Sequence, residues 1–349
     1  MVKRIESETM KQIIRKIIKN NRKIDYIQRC VRHFSDENFV KTVLDIEKNP
    51  LLIKICECGD KNPGKLIYIA QTMGCDGFFA ELRFILHEIY FAECFGMTPV
   101  ALIPKESCYY ENKPINGKTN PFEYYFEPVS EINVDDARHS RAVVKHNYYQ
   151  RNYINSVFDM NSGYLPSEEY MKEMARIVNK YLHLNEFSGS KIKRDCCKVL
   201  GKERTLGVHV RGADFKRHYI NHPNIVTIKE YIEATSQAMQ REKFDKIFLA
   251  TDDLSALSEY KKVFGDKVVF YSDVIRTNGD ETVMKSTDDR ENHHYLLGLE
   301  VLRDMYTLSE CSGIIAGLSN VSIFARIYKL SQNNDFVVMN YLNKGIKNA

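Results

Sequence analysis

The sequence contains no apolar run approaching the ~18–20 residues that a bilayer-crossing helix needs, which excludes a membrane-spanning helix. Its start, Met1-Val2-Lys3-Arg4-Ile5-Glu6, lacks the apolar stretch and small-residue cleavage site of a secretory signal, so a cytoplasmic location is expected. No G-x-x-x-x-G-K-[ST] loop and no G-x-G-x-x-G fingerprint occurs, which speaks against P-loop enzymes and the common dinucleotide enzymes. Cysteine is present but unpaired in pattern. The nine residues are scattered, and neither Cys56-Glu57-Cys58 nor Cys196-Cys197 has the spacing of a zinc site. In a chain of 349 residues without a signal they read as reduced thiols. There is no internal repeat and no low-complexity tract.

The chain has enough length for two domains and an ordinary globular composition, 44% hydrophobic and 28% charged. Its net charge of +4 is unevenly placed. Residues 1–34 hold ten Lys/Arg against three Asp/Glu, so the remaining chain sums to −3. A slightly acidic body argues against nucleic-acid binding, which needs a basic patch on the folded surface. Within residues 10–34, Ile13, Ile14, Ile17, Ile18, Ile24, Ile27 and Val31 recur at helical spacing among Lys and Arg. Such a basic amphipathic helix either docks onto the body or lies on an anionic membrane surface, at the inner face.

Beyond this leader, strands alternate with helices in two stretches. In the first, Leu66–Ala70 reads as a buried strand, Phe78–Phe95 as a helix ended by Gly96, and Pro99–Ile103 as a second strand. Between Pro104 and Pro166 the pattern fails, and this insert carries eight of the 21 tyrosines. A helix capped by Ser167 follows, and the polar run Asn185–Arg204 reads as an interdomain linker. The second stretch has strands at Thr205–Val210, Lys246–Ala250, Lys267–Tyr271, Gly313–Ala316 and Phe336–Met339. Helices fall between them, from a Thr227–Glu230 capping box, from Leu254, over Tyr295–Cys311 and from Ser319. This predicts a doubly wound parallel sheet.

In such sheets ligands gather at the carboxyl ends of strands and the N-termini of the following helices. Three junctions are unusually polar. In Gly207-Val208-His209-Val210-Arg211-Gly212-Ala213-Asp214, His209 and Arg211 share one face of the strand end, where an arginine can grip a phosphate bidentately. The plainer alternative is an Arg211–Asp214 ion pair. In Phe248-Leu249-Ala250-Thr251-Asp252-Asp253, the carboxylates suit ribose hydroxyls, a general base or a metal, or else an ordinary helix cap. In Ile314–Ser322, a strand, Gly317 and then Ser319-Asn320-Val321-Ser322 form an anion cradle or, again, a cap. Asp288–His294 contains metal-ligand residue types, but its adjacent histidines suit a solvated loop better.

Together these junctions resemble those of the fucosyltransferase superfamily, which includes the α1,6-fucosyltransferases, the nodulation fucosyltransferases and the protein O-fucosyltransferases. Gly207–Asp214 is similar to its first motif, a strand ending in His-x-Arg with an Asp three residues on. Phe248–Asp253 is similar to the second, and Glu300–Ser322 to the third, a helix with an inward Asp followed by a strand and a serine-bearing loop. Gly74–Leu82 resembles the phosphate-facing loop of the family's first domain, so the resemblance spans roughly residues 65–330.

The resemblance implies an α/β protein of GT-B type, with two Rossmann-like domains facing a central cleft. The domains would be a helical leader at 1–60, an acceptor domain at 61–200 and a nucleotide-sugar domain at 201–349. It implies an inverting glycosyltransferase that uses GDP-fucose as donor and a glycan as acceptor, needs no metal or other cofactor, and serves bacterial surface polysaccharide synthesis. Arg211 would stabilise the departing diphosphate, His209 and Asp304 would recognise guanine, and Asp252 would lie near the nucleoside. Ser319, Asn320, Val321 and Ser322 would hold the diphosphate, with Gly77 and Phe78 facing it from the first domain. Asp214 is carried as a catalytic residue, with Glu81 and Asp76 as further base candidates. The sequence departs from the α1,6 branch at Gly212, where a second arginine would stand, at Phe215 for a lysine, near Tyr219 for an acceptor-activating acid, and at Glu81 for a glutamine. The insert's tyrosines would either stack on the acceptor or pack internally. Alternatives that keep the fold are another nucleotide sugar as donor, or a catalytically silent nucleotide-sugar binder.

Overall fold

The computed structural model describes residues 55–74, 76–145, 150, 153–158, 165–212, 222–277, 283 and 288–346. The leader helix expected at 10–34, Asp214 and most of the Tyr-rich stretch around Tyr148–Tyr149 lie outside these residues.

The first sheet is built on β2 (Lys61–Gln71), whose Ile67-Tyr68-Ile69-Ala70 is buried on both faces as parallel strands are. Helix α1 (Phe78–Cys94) is apolar nearly all round and is therefore enclosed. It returns the chain to β3 (Thr98–Leu102), parallel to β2 with Ile67 opposite Thr98. Two glutamates of α1 are fully buried and satisfied by backbone N–H groups. Glu81 accepts from Asp76 at 2.9 Å and Gly74 at 3.4 Å, and Glu88 accepts from Gln71 at 2.8 Å.

The described part of the Tyr-rich insert is structured. After a 3-10 turn at Pro121–Tyr124 and a short helix α2 (Val134–Arg138), it supplies β4 (Ser140–Lys145), parallel to β2 on the side opposite β3. With β1 (Ile55–Cys56) the sheet order is β1-β4-β2-β3. Tyr109, Tyr124 and Tyr125 are buried, so these three are packing residues and give no stacking surface to an acceptor. A short α3 (Ile154–Val157) precedes α4 (Glu168–Tyr181), capped by Ser167 as expected.

The expected linker at Asn185–Arg204 is a helix instead. Asn185 caps α5 (Glu186–Leu200), accepting from Ser188 N at 2.9 Å, and Ile192, Cys196 and Leu200 form a buried stripe four residues apart. A single narrow apolar stripe is diluted by the polar residues around it, so the composition of the run does not reveal the helix. Residues 56–349 cluster as a single unit.

The second sheet holds β5 (Thr205–His209), β6 (Lys246–Ala250), β7 (Val268–Val269), β8 (Gly313–Gly317) and β9 (Val338–Leu342), in the order β7-β6-β5-β8-β9. All its pairs are parallel. The helices are α6 (Ile228–Glu242), α7 (Leu254–Phe264), α8 (His293–Glu310) and α9 (Asn320–Ser331). Right-handed crossovers set α6 and α7 on one face and α8 and α9 on the other, and the helices pack in those pairs. The strand order reverses between β5 and β8, so the expected doubly wound sheet has its switch point there.

Contacts tie the two sheets' helices together. The Phe79 and Phe324 rings meet at 5.0 Å, Tyr125 stacks on Tyr295 at 5.4 Å, and Arg326 grips Glu168 at 2.5 and 2.8 Å. The Asp288–His294 run joins this contact: His293 is buried, and His294 Nδ1 lies 2.8 Å from the Cys108 carbonyl.

Candidate nucleotide-sugar site at the switch point

The strand ends at the switch point bring two of the three polar junctions together. His209 stands opposite Ala316 in the β5–β8 register, and its Nδ1 lies 3.2 Å from Ser319 Oγ. Burial, with the positive charge of Arg211 adding to it, pushes the His209 imidazole down to about 3, so it is neutral at physiological pH. Arg211 leaves the strand end and donates from Nη1 to the Leu318 carbonyl at 3.3 Å. The β5 end and the β8–α9 loop are thus bonded side by side.

That loop is a helix cap. Ser319 Oγ accepts from Ser322 N at 3.2 Å, capping α9, and Ser322 Oγ donates back to the Gly317 carbonyl at 2.9 Å. Both serines are buried. The backbone N–H groups of Asn320 and Val321 open the helix at its positive end, where an anion is stabilised. Asn320 Oδ1 accepts from Arg83 Nη1 of α1 at 3.0 Å.

Two glycines permit this approach. A Cβ on Gly317 would stand 2.2 Å from the Tyr231 hydroxyl, which lies within hydrogen-bonding reach of the Arg211 and Gly317 backbone. A Cβ on Gly212 would meet Asp252 Oδ1 at 1.6 Å. The side-chain space at position 212 is therefore filled by the Asp252 carboxylate. Its neighbour Asp253 is the helix cap, accepting from Ser255 N at 2.8 Å. A cavity of about 210 Å³ opens beside Arg211, Gly212, Asn224, Thr227, Tyr231 and Leu318.

On the α8 side lies a second cluster. Asp304 is 8% exposed, and burial pushes its carboxyl up to about 7 against the opposing pull of Arg276 and Arg303. Arg303 is committed to Asp273 at 2.5 Å and Asp195 at 2.9 Å, and it stacks on Tyr271. Arg276 carries no signal in the sequence. Thr277 N donates to the Asp252 carbonyl at 2.8 Å, and this pins Arg276 beside Asp252, Asp304 and Glu300. Its Nε is buried without a hydrogen-bond partner among the described residues. Thr277 lies 25 residues after Asp252 in a segment without periodicity, so no spacing signals the contact.

The remaining expected residues divide. Gly77 caps α1 with open space around its Cα, whereas Phe78 is 2% exposed and packs edge-on against Phe79, Tyr109 and Tyr125. Glu81 has both oxygens engaged in the Gly74–Asp76 turn, which makes it a loop staple. Asp214 lies outside the described residues. Among the described residues no cluster of three or more His, Cys, Asp or Glu side chains could hold a metal ion, and no helix is long and apolar enough to cross a membrane.

The raised Asp304 carboxyl predicts a pH dependence. Unfolded, it ionises near 4. Between about pH 4 and 7 the folded chain keeps a proton that the unfolded chain has lost, so this group's contribution falls as pH rises and levels off above 7. Asp304→Asn removes a penalty on the order of 4 kcal/mol. The gain in Tm of the variant over the wild type should therefore grow from pH 5 to pH 8, and a pH-independent difference would contradict the assignment.

The fold defines a doubly wound α/β protein in which Arg211, His209 and the capped N-terminus of α9 meet at the switch point. The chain is similar to the NodZ α-1,6-fucosyltransferase soaked with GDP-fucose, at 18% identity over 76% of this chain and 92% of that one, with a TM-score of 0.47. It is similar to the fucosyltransferase NodZ from Bradyrhizobium at 17% identity over 76% and 93%, with the same TM-score. It is also similar to POFUT1 in complex with GDP, at 14% identity over 80% and 99%, with a TM-score of 0.46. No protein-family model and no curated protein matches the chain.

Proposed function

We propose that the protein is an inverting glycosyltransferase of GT-B type that moves fucose from GDP-fucose to a glycan acceptor. The observation that carries this reading is the convergence of His209, Arg211 and the Ser319–Ser322 cradle at the switch point. In the transfer, an acceptor hydroxyl attacks the sugar's anomeric carbon while the bond to the β-phosphate oxygen breaks. The hydroxyl proton passes to a base, and negative charge builds on the departing GDP. On this reading Arg211 and the α9 N-terminus face that charge, and preorganised charge of this kind lowers the barrier most. These two sources of positive potential supply the stabilisation in this reading, without a metal. The neutral His209 imidazole and the Asp304 side chain take the guanine, and Asp252 takes the nucleoside. Work in the cytoplasm on bacterial surface polysaccharide belongs to the same proposal.

A thermal-shift panel of GDP, GDP-fucose, GDP-mannose, UDP and CDP tests it. Ligand at 100 times its Kd stabilises the native state by about 2.7 kcal/mol, so GDP and GDP-fucose should raise Tm by several degrees while UDP and CDP leave it unchanged. A response to UDP alone would replace the donor. GDP binding without release of GDP from GDP-fucose in acceptor extracts would leave a silent binder.

A further inference from the structure

We propose that Arg83, on the first sheet's helix, is a second cation for the donor's diphosphate, reaching the same turn as Arg211 from a different element. The proposal rests on the donor reading above and assigns a residue that the motifs do not contain.

The three-residue span Leu318-Ser319-Asn320 is held by two guanidinium groups. Arg211 donates to the Leu318 carbonyl at 3.3 Å, and Arg83 donates to Asn320 Oδ1 at 3.0 Å. The two arginines thus bracket Ser319, the cap of α9, from elements far apart in the chain. Both bonds touch the turn whose N–H groups would receive a phosphate. A departing nucleoside diphosphate carries more charge than a single guanidinium neutralises, and the residue after Arg211 is Gly212, whose side-chain space belongs to Asp252. A second full positive charge, beyond the partial charge of the α9 N-terminus, would come from another element. Arg83 is half-buried, and no carboxylate among the described residues lies within ion-pairing distance of it. A half-buried arginine held by one neutral amide keeps its charge for a ligand, and its planar fork can bind phosphate oxygens while retaining the Asn320 contact. Its backbone is rigid, because α1 is locked by Phe79 on Phe324 and by the buried Glu81 and Glu88. A residue on such an element meets its ligand with little loss of entropy.

The test compares guanosine, GMP and GDP as ligands of the full chain by isothermal titration calorimetry. Arg83→Gln should weaken GDP about tenfold, GMP less, and guanosine not at all, since only the diphosphate gains from the charge. Arg83→Lys, which keeps charge without the fork, should fall between wild type and Arg83→Gln for GDP. The Tm of both variants without ligand should stay within a few degrees of wild type. Equal weakening of guanosine and GDP would overturn the proposal and make Arg83 a packing residue, as would undiminished GDP binding. If Arg83→Gln does not fold, Arg83→Lys decides by the same ratio. Failure of the wild-type chain to bind GDP would refute the donor reading itself, and that result is separate because it needs no variant.

Discussion

On the proposed function, Arg211→Ala is expected to lower fucosyl transfer about 10³-fold while the chain still folds. The magnitude follows from removing one preorganised charge donor at a developing oxyanion. Arg211 donates to the Leu318 carbonyl at 3.3 Å, and losing one such hydrogen bond costs about 1 kcal/mol. Arg211→Lys should recover part of the folding cost but little of the rate, because a lysine cannot take two phosphate oxygens in one plane. The readout is kcat with GDP-fucose beside Tm for each variant. A rate within threefold of wild type would remove Arg211 from the chemistry, and a large drop in Tm would show that it is structural.

Gly317→Ala should be the most damaging small substitution in the second sheet. Its Cβ would lie 2.2 Å from the Tyr231 hydroxyl, and Tyr231 is 2% exposed in the buried cluster that also holds Leu206, Val210 and Ala234. Overpacking a rigid ring against a strand end costs about 3 kcal/mol. Tyr231→Phe alone should cost about 1–2 kcal/mol, since it removes a hydroxyl that the Arg211 and Gly317 backbone approaches. The double variant should be more stable than Gly317→Ala alone, because the next atom, Tyr231 Cζ, would be 3.4 Å away. Urea titrations of the three variants give the coupling energy, and strict additivity would contradict the clash.

The elements legible in the sequence are those whose pattern is local. The Thr227–Glu230 capping box is present, with Glu230 Oε2 accepting from Thr227 N at 2.8 Å. Ser167 and Ser319 cap their helices, and β5, β6 and β8 fall within a residue of the apolar runs that predict them. Strand β4 escapes such a reading because Ser140–Lys145 is short and sits in a polar, Tyr-rich stretch, where Ala142, Val143 and Val144 give no sustained alternation. Helix α5 reads as a linker because its apolar residues form only a narrow stripe. The tyrosines of the insert read equally as an acceptor platform or as packing. The burial of Tyr109, Tyr124 and Tyr125, with Tyr125 against Tyr295 170 residues away, settles that these three pack.

The sequence by itself determined the alternation of strands and helices, the polar residues at three strand ends and the charge split between the leader and the rest of the chain. Those features are set by periodicity, capping chemistry and composition, all of which act over a few residues. Tertiary structure decided which strand ends meet, because the order β7-β6-β5-β8-β9 puts His209 beside Ser319 and leaves Asp252 one strand away. It alone decided that Asp252 fills the space beside Gly212, that Arg276 joins Asp304, and that Arg83 reaches Asn320. Each of these is a contact between side chains far apart along the chain. No local pattern encodes such a contact, because its energy is realised only once the two sheets have brought their helices together.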